Sequence, residues 1–252
     1  MAANKKKRLD VLVFDKGLAS SRQRASALIM SGNILVNNQL VDKPGSMVLA
    51  GAEIVNKGPN LPFVSRGGFK IEKAIQSLDL DVSDMLCLDV GASTGGFTDC
   101  LLQHGASRVY AIDVGYGQLD WKLRQDPRVV VIERTNIRYA TEEILPEPFD
   151  LISIDVSFIS LKIVIPAIKK FLKKDGKILA LIKPQFEVGK NQVGKGGVVK
   201  NQQLHQSVIK ELSEFFSNTG FKIGPVITSP ILGPKGNKEF IIYLTNQISL
   251  WG

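Results

Sequence analysis

Apolar and polar residues along this chain follow two different rhythms, and the change falls near residue 65. Before it the apolar runs are short. Residues 9–14 are spaced as one short helix stopped at Gly17, and a second helix follows through Ser31. Ser20 and Ser21 stand at its N-cap and Gly32 at its C-terminal cap position. Residues 34–36 and 39–41 are short extended runs joined by Asn37-Asn38, a pair that tolerates the positive φ of a tight hairpin. Lys43-Pro44-Gly45 turns the chain and residues 52–55 close the unit. Residues 5–56 therefore predict a small α+β domain. Residues 57–65, with two prolines and a glycine, predict a linker. From residue 66 to 247 the pattern is longer. Ile71, Ala74, Ile75 and Leu78 form a helical stripe, and residues 85–90 form a strand that is apolar except for Asp89. A helix at 98–104 and a strand at 108–113 come next, then apolar segments at 129–132, 151–154, 163–171, 178–182, 204–216 and 240–244. That alternation predicts an α/β fold, a Rossmann-like doubly wound sheet.

Composition narrows the picture. The chain has 252 residues, 44% of them hydrophobic, enough for a proper core in a large and a small domain. Lys and Arg number 32 against 24 Asp and Glu, a formal charge of +8. Residues 1–60 alone hold nine Lys/Arg against four Asp/Glu, a net +5, so the basic excess is concentrated where it favours a polyanionic partner. Lys5, Lys6, Lys7, Arg8, Arg22 and Arg24 form the candidate phosphate-contacting stripe. Cys87 and Cys100 lie in apolar surroundings without metal-ligand spacing, so they predict buried, reduced thiols and no metal site. No apolar run approaches the ~20 residues a membrane helix needs, and the first ten residues lack the core of a secretory signal. A cytoplasmic protein is expected, and oligomeric state is not legible.

Candidate chemistry gathers at segment ends. Asp155 ends one apolar run, Lys183 ends another, Glu239 begins a third, and Lys70 opens the helix after residue 65. In an open parallel sheet the carboxyl ends of the strands face the ligand crevice. Asp89-Val90-Gly91-Ala92-Ser93-Thr94-Gly95-Gly96 is a glycine-rich turn between a strand and a helix, where backbone approaches a ligand closely. Asp113 ends the next strand, at a distance suited to a ribose diol. Two other motifs overlap this region. Gly91-Ala92-Ser93-Thr94-Gly95 spells the hydrolase nucleophile elbow, with Asp155 and His205 following in order, but it comes after the domain's first strand and His205 falls within a helical pattern. Residues 189–195 fit the spacing of a phosphate-binding loop, yet Gly196 stands where a magnesium-binding hydroxyl is required, so a substrate-facing loop is the better reading.

Residues 8–13, Ser20-Ser21-Arg22, Ala25, Ile29, residues 31–37 and Val41 resemble the alpha-L RNA-binding domain first seen in ribosomal protein S-four. Ser65-Arg66-Gly67-Gly68-Phe69-Lys70, the turn from Asp89 to Thr98, Asp155-Val156-Ser157-Phe158-Ile159-Ser160, Lys183-Pro184-Gln185-Phe186-Glu187, residues 193–198 and Gly236-Asn237-Lys238-Glu239-Phe240 resemble FtsJ-like ribose 2′-O-methyltransferases. The two together resemble the hemolysin A (TlyA) family of rRNA methyltransferases over roughly residues 5–245. The resemblance implies S-adenosylmethionine as cofactor and a ribose 2′-hydroxyl, of a cytidine in ribosomal RNA or ribosomal subunits, as acceptor. It implies Lys70, Asp155, Lys183 and Glu239 as the catalytic tetrad, with Lys183 taking the hydroxyl proton. It places Asp89, Gly91, Ala92, Ser93, Gly95, Gly96, Phe97, Asp113 and Asn136 around the cofactor, Asn136 near adenine. A pore-forming activity would need spanning or strongly amphipathic segments, which the sequence does not display. An RNA-binding protein whose methyltransferase fold no longer catalyses is the competing reading.

Overall fold

The computed structural model describes residues 6–19, 21–30, 32–56 and 62–246, with the side chains of Lys190 and Pro234 left aside. Lys5, Ser20, Ser31 and residues 57–61 of the expected linker lie outside the described residues. The chain divides into two compact units, Met1–Pro62 with Asp120–Lys122 and Phe63–Leu119 with Leu123–Gly252. Phe63, Val64 and Ser65, expected in the linker, belong to the second unit. Phe63 is buried under Gly68, where a Cβ would strike its ring, and Val64 N donates to Asp99 Oδ2 at 2.8 Å.

The first unit begins with β1 (Lys6–Arg8), α1 (Leu9–Asp15) and α2 (Arg22–Met30), followed by β2 (Ile34–Val36), β3 (Gln39–Leu40), β4 (Met47–Leu49) and β5 (Ile54–Asn56). Ser21 Oγ accepts from Arg24 N at 3.1 Å and so caps α2, as its position predicts. Asn37 and Asn38 take left-handed φ of 49° and 63° and close the β2–β3 hairpin. β2 lies between β3 and β5, while β1 pairs with β4. Leu9, Leu12, Val13, Ala25, Ile29, Ile34 and Val36 make the core. Lys6 to Arg8, read as a basic run, is thus an exposed strand.

After Phe63 the chain forms α3 (Gly67–Ser77), β6 (Leu86–Val90), α4 (Gly96–Gln103), β7 (Arg108–Ile112), α5 (Trp121–Arg124), β8 (Val129–Ile132), β9 (Phe149–Ile154), α6 (Leu161–Ile168), β10 (Leu172–Ile182), α7 (Pro184–Glu187), α8 (Gln202–Asn218), β11 (Phe221–Thr228) and β12 (Phe240–Asn246). The sheet order is β11-β12-β10-β9-β6-β7-β8, with β8, β7, β6, β9 and β10 parallel. β12 runs antiparallel between β10 and β11. Helices cover both faces, so the central strands can be apolar throughout. Leu88, Ile152, Ile178 and Ile242 face one core, with residues of α6 and α8. Cys87, Leu151, Leu179 and Ile241 face the other, with residues of α3 and α4. Each such side chain contributes roughly 1.5–3 kcal/mol when fully buried. The antiparallel β12 decides the site. Its register sets Phe240 opposite Ile182, so Glu239, before β12, and Lys183, after β10, flank the same sheet edge.

Candidate active site

Four charged side chains and a hydroxyl form one chain along that edge. Lys70 Nζ, on the first turns of α3, lies 2.7 Å from Glu239 Oε2 and 3.7 Å from Asp155 Oδ2. Lys183 Nζ lies 2.5 Å from Asp155 Oδ1 and donates to Ser157 Oγ at 3.0 Å. Lys70, Lys183 and Glu239 are buried, and the Asp155 side chain is about a fifth (21%) exposed. Two lysines and two carboxylates are matched in formal charge, which offsets the cost of burying them so close together. Beyond Lys70, neither Glu239 oxygen accepts a hydrogen bond among the described residues. Gly233 lies directly against it, where a Cβ would collide with Oε1. All four tetrad residues expected from the sequence therefore meet. Ser157, within the Asp155–Ser160 motif, joins the site through its contact with Lys183.

The glycine-rich turn after β6 is shaped by close approaches. Gly91 takes φ +82°, and a Cβ there would meet the Asp155 carbonyl oxygen at 2.5 Å. Gly95, at φ +93°, packs on Leu119 and Leu123, and Gly96 on Ser65 and Gly68, so α4 can lie against α3. Asp113 holds the turn from β7: its Oδ2 accepts from Ser93 N at 2.8 Å and its Oδ1 from Gly115 N at 2.7 Å. Gly91, Ser93, Asp113, Asn136, Asp155 and Ser157 line a cavity of about 730 Å³ that Phe158 and Phe186 also border. Asn136 Oδ1 accepts from Arg138 N at 3.1 Å and caps a short 3₁₀ turn.

Five of the residues expected around the cofactor are buried. Asp89, Ala92, Gly95, Gly96 and Phe97 are buried beneath the turn rather than on the cavity wall. Asp89 is fully buried; its Oδ2 accepts from Thr98 N at 3.0 Å and Thr98 Oγ1 at 2.7 Å, and its Oδ1 from Ser153 Oγ at 3.2 Å. It ties the start of α4 to β9, and burial pushes its carboxyl up to about 7 against the hydrogen bonds from Thr98 and Ser153. Phe97 packs in the core beside Ile71 and Cys100.

The competing motifs find no partners. Ser93 Oγ donates to Gln118 Oε1 at 3.2 Å, while His205 is buried in α8 with Nε2 2.8 Å from Val199 O. Residues 190–192 form a 3₁₀ turn, and Gly194 pairs with Val198 in an isolated bridge. Cys87 and Cys100 are buried and free. Among the described residues no His/Cys/Asp/Glu group is spaced to hold a metal, and no helix is long and apolar enough to cross a membrane. In the first unit, Lys7 pairs with Asp15 at 3.0 Å, and Arg8 and Arg22 both reach Asp10. Lys6, Lys7, Arg8 and Arg22 are exposed, Arg24 partly so.

A parallel sheet with one antiparallel strand inserted at its edge, a glycine turn over its middle and a Lys-Asp-Lys-Glu cluster at its strand ends define a methyltransferase domain. The comparisons agree. The FtsJ-like methyltransferase model matches residues 63–246, and the S4 domain model residues 7–54. YqxC of Bacillus subtilis (strain 168) is 46% identical, over 96% of this chain and 86% of its own length. The 16S/23S rRNA (cytidine-2′-O)-methyltransferase TlyA of Mycobacterium tuberculosis (strain ATCC 25618 / H37Rv) is 44% identical, over 95% of this chain and 90% of its own. A solved hemolysin-named protein of Streptococcus thermophilus superposes with a TM-score of 0.76 at 44% identity, covering 98% of this chain and 90% of that one. The chain belongs to the TlyA/hemolysin A family of rRNA methyltransferases, with an S4 domain ahead of an FtsJ-like domain that uses S-adenosylmethionine.

Proposed function

We propose that this chain transfers the methyl group of S-adenosylmethionine to the 2′-hydroxyl of a cytidine ribose in ribosomal RNA, with ribosomal subunits or their RNA as partner. The carrying observation is the continuous cluster Glu239–Lys70–Asp155–Lys183–Ser157, whose Asp155 and Ser157 line the cavity beside Gly91. The cavity suits the cofactor. Gly91 leaves no room for a side chain at the turn, and Asp113 turns a carboxylate toward it for the ribose diol. Gly91, Ser93, Asp113 and Asn136 would hold it, and when bound it supplies an electrophilic methyl group.

The residues of the chain supply alignment and proton handling. Two of the directions around Lys183 Nζ are taken by Asp155 and Ser157, which leaves one to meet the ribose hydroxyl. A neutral Lys183 accepts that proton as the oxygen attacks. Asp155 and Ser157 fix its direction, and Glu239 holds Lys70 beside Asp155. Phe158, 90% exposed and 4.9 Å from Phe186 between ring centroids, offers a face on which a base can stack. Residues 6–8, Arg22 and Arg24 grip phosphates from the S4 domain.

The test is transfer of a labelled methyl group from S-adenosylmethionine to purified small subunits, large subunits and protein-free rRNA. Mapping the label to a bond resistant to alkaline hydrolysis identifies a 2′-O-methyl. RNA binding without any transfer would favour the inactive-fold reading instead.

A further inference from the structure

Asp10 lies in the first turn of α1 and is among the few buried charged residues of the first unit. Its carboxylate is aimed at two arginines. Arg8 Nε donates to Oδ1 at 3.0 Å and Arg8 Nη2 to Oδ2 at 2.9 Å, a two-pronged grip. Arg22 Nη2, from the start of α2, lies 3.5 Å from the same Oδ2. Val11 N donates to Oδ1 at 2.9 Å. The Arg8 hydrogen bonds hold the Asp10 carboxyl below its ordinary range, against its burial. Behind Arg8, Asp10 N donates to Pro44 O at 3.0 Å and Leu9 N to Ser46 O at 2.8 Å, which pins this corner to the turn over Gly45.

The exposures are unequal. The Asp10 side chain is 6% exposed, whereas those of Arg8 and Arg22 are 52% and 58%. An approaching ligand meets two guanidinium groups and cannot reach the carboxylate between them. Arg8 uses Nε and one hydrogen of Nη2 on Asp10, so among the described residues Nη1 and the other Nη2 hydrogen remain for an anion. A free arginine gives up much rotamer freedom when it docks on a phosphate; one already held does not.

We propose that Asp10 is a positioning residue for RNA. It holds Arg8 and Arg22 side by side as a preformed pair for adjacent backbone phosphates, at the cost of one unit of favourable charge. The proposal rests on the reading of the S4 domain as the RNA grip. It carries an unusual sign. By charge alone, Asp10→Asn adds +1 to a basic surface and should tighten RNA binding. By positioning, the same change frees both arginines and weakens it.

The experiment uses the full chain and protein-free ribosomal RNA from both subunits as the probe. Affinity is measured by filter binding across a salt series, with a thermal melt for each variant. Asp10→Asn should bind about fivefold more weakly throughout the series, the scale set by immobilising one or two long side chains. Arg8→Lys keeps the charge at an exposed position and loses the fork, so it should also weaken binding, about threefold. Binding by Asp10→Asn as tight as wild type or tighter, or an unchanged Arg8→Lys, overturns the positioning role. Should Asp10→Asn melt early, Arg8→Lys alone decides. Arg8→Ala/Arg22→Ala separates the two layers of the reading. Unchanged affinity and salt slope in that variant would overturn the RNA grip itself, whereas weakened binding there with tightened Asp10→Asn would overturn only the positioning.

Discussion

Replacing Lys70 by methionine strands the most deeply buried carboxylate of the site. Glu239 is 1% exposed and has Lys70 Nζ at 2.7 Å as its counter-charge, with no hydrogen bond from another described residue. At an effective dielectric of about 20, that separation is worth roughly 6 kcal/mol of gross attraction, most of it offset by desolvation. Removing one partner exposes the desolvation cost without the attraction, so Lys70→Met should destabilise the second unit by about 3–5 kcal/mol near pH 8. Adding Glu239→Leu removes the stranded charge and should recover about half of that loss or more. Acid should help the single variant. A stranded carboxylate takes up a proton more readily in the folded than in the unfolded chain, so the folded state binds more protons and stability falls as pH rises. The gap to wild type should therefore narrow between pH 8 and 5.5. Amide hydrogen exchange of β9 and β10 reports this unit separately from the first. A Lys70→Met protein as stable as wild type at pH 8, or a gap that ignores pH, would refute the reasoning.

Three further outcomes follow from the same geometry. Gly233→Ala should push Glu239 off Lys70 and lower single-turnover methylation about tenfold with the fold retained, since only a glycine fits against Oε1; normal turnover would remove Gly233 from the account. Asp113→Ala should weaken S-adenosylmethionine binding in calorimetry by about 1.5–3 kcal/mol, the worth of a hydrogen bond to a charged group; unchanged affinity would place the diol contact elsewhere. Asp89, raised by burial from 3.8 to about 7, contributes stability that is complete below about pH 4 and lost as pH rises through 7, at most roughly 4 kcal/mol. Asp89→Asn has no proton to lose and gains no buried charge, so its melting temperature should not share that fall between pH 5 and 8.5, and parallel curves would contradict the role of Asp89.

The strands that carry the site were legible because both their faces are buried. Leu86–Val90, Phe149–Ile154 and Ile178 to Ile182 read as mainly apolar runs, and the last two stop at a charge, Asp155 and Lys183, where the strand ends. β11 was not legible. Gly224-Pro225 interrupts its alternation, and a proline is tolerated there because β11 is the edge strand, with a register shift between Ile223 and Val226. Without β11 and the direction of β12, the sequence offers no reason for Glu239, at the start of a strand, to join residues at the ends of others. Asp89 is ambiguous in the sequence for a related reason. A carboxylate before a glycine turn can face the ligand or the turn, and only the position of Thr98 and Ser153 decides. Ser157 carried a weak signal: it lies in an irregular turn where Phe158 takes a left-handed φ of 64°, which nothing in the residue type announces.

In the proposed mechanism Lys183 handles the ribose proton. Lys183→Met keeps the length of the chain and removes the amine that Asp155 and Ser157 hold. The measurement is single-turnover methylation of ribosomal RNA by this variant, normalised to folded protein from a melt. The account predicts a loss of about 10²-fold or more with cofactor and RNA affinities little changed, because the interaction matters most in the transition state. Turnover within a few-fold of wild type, or a large fall in melting temperature with normal turnover per folded molecule, would contradict it.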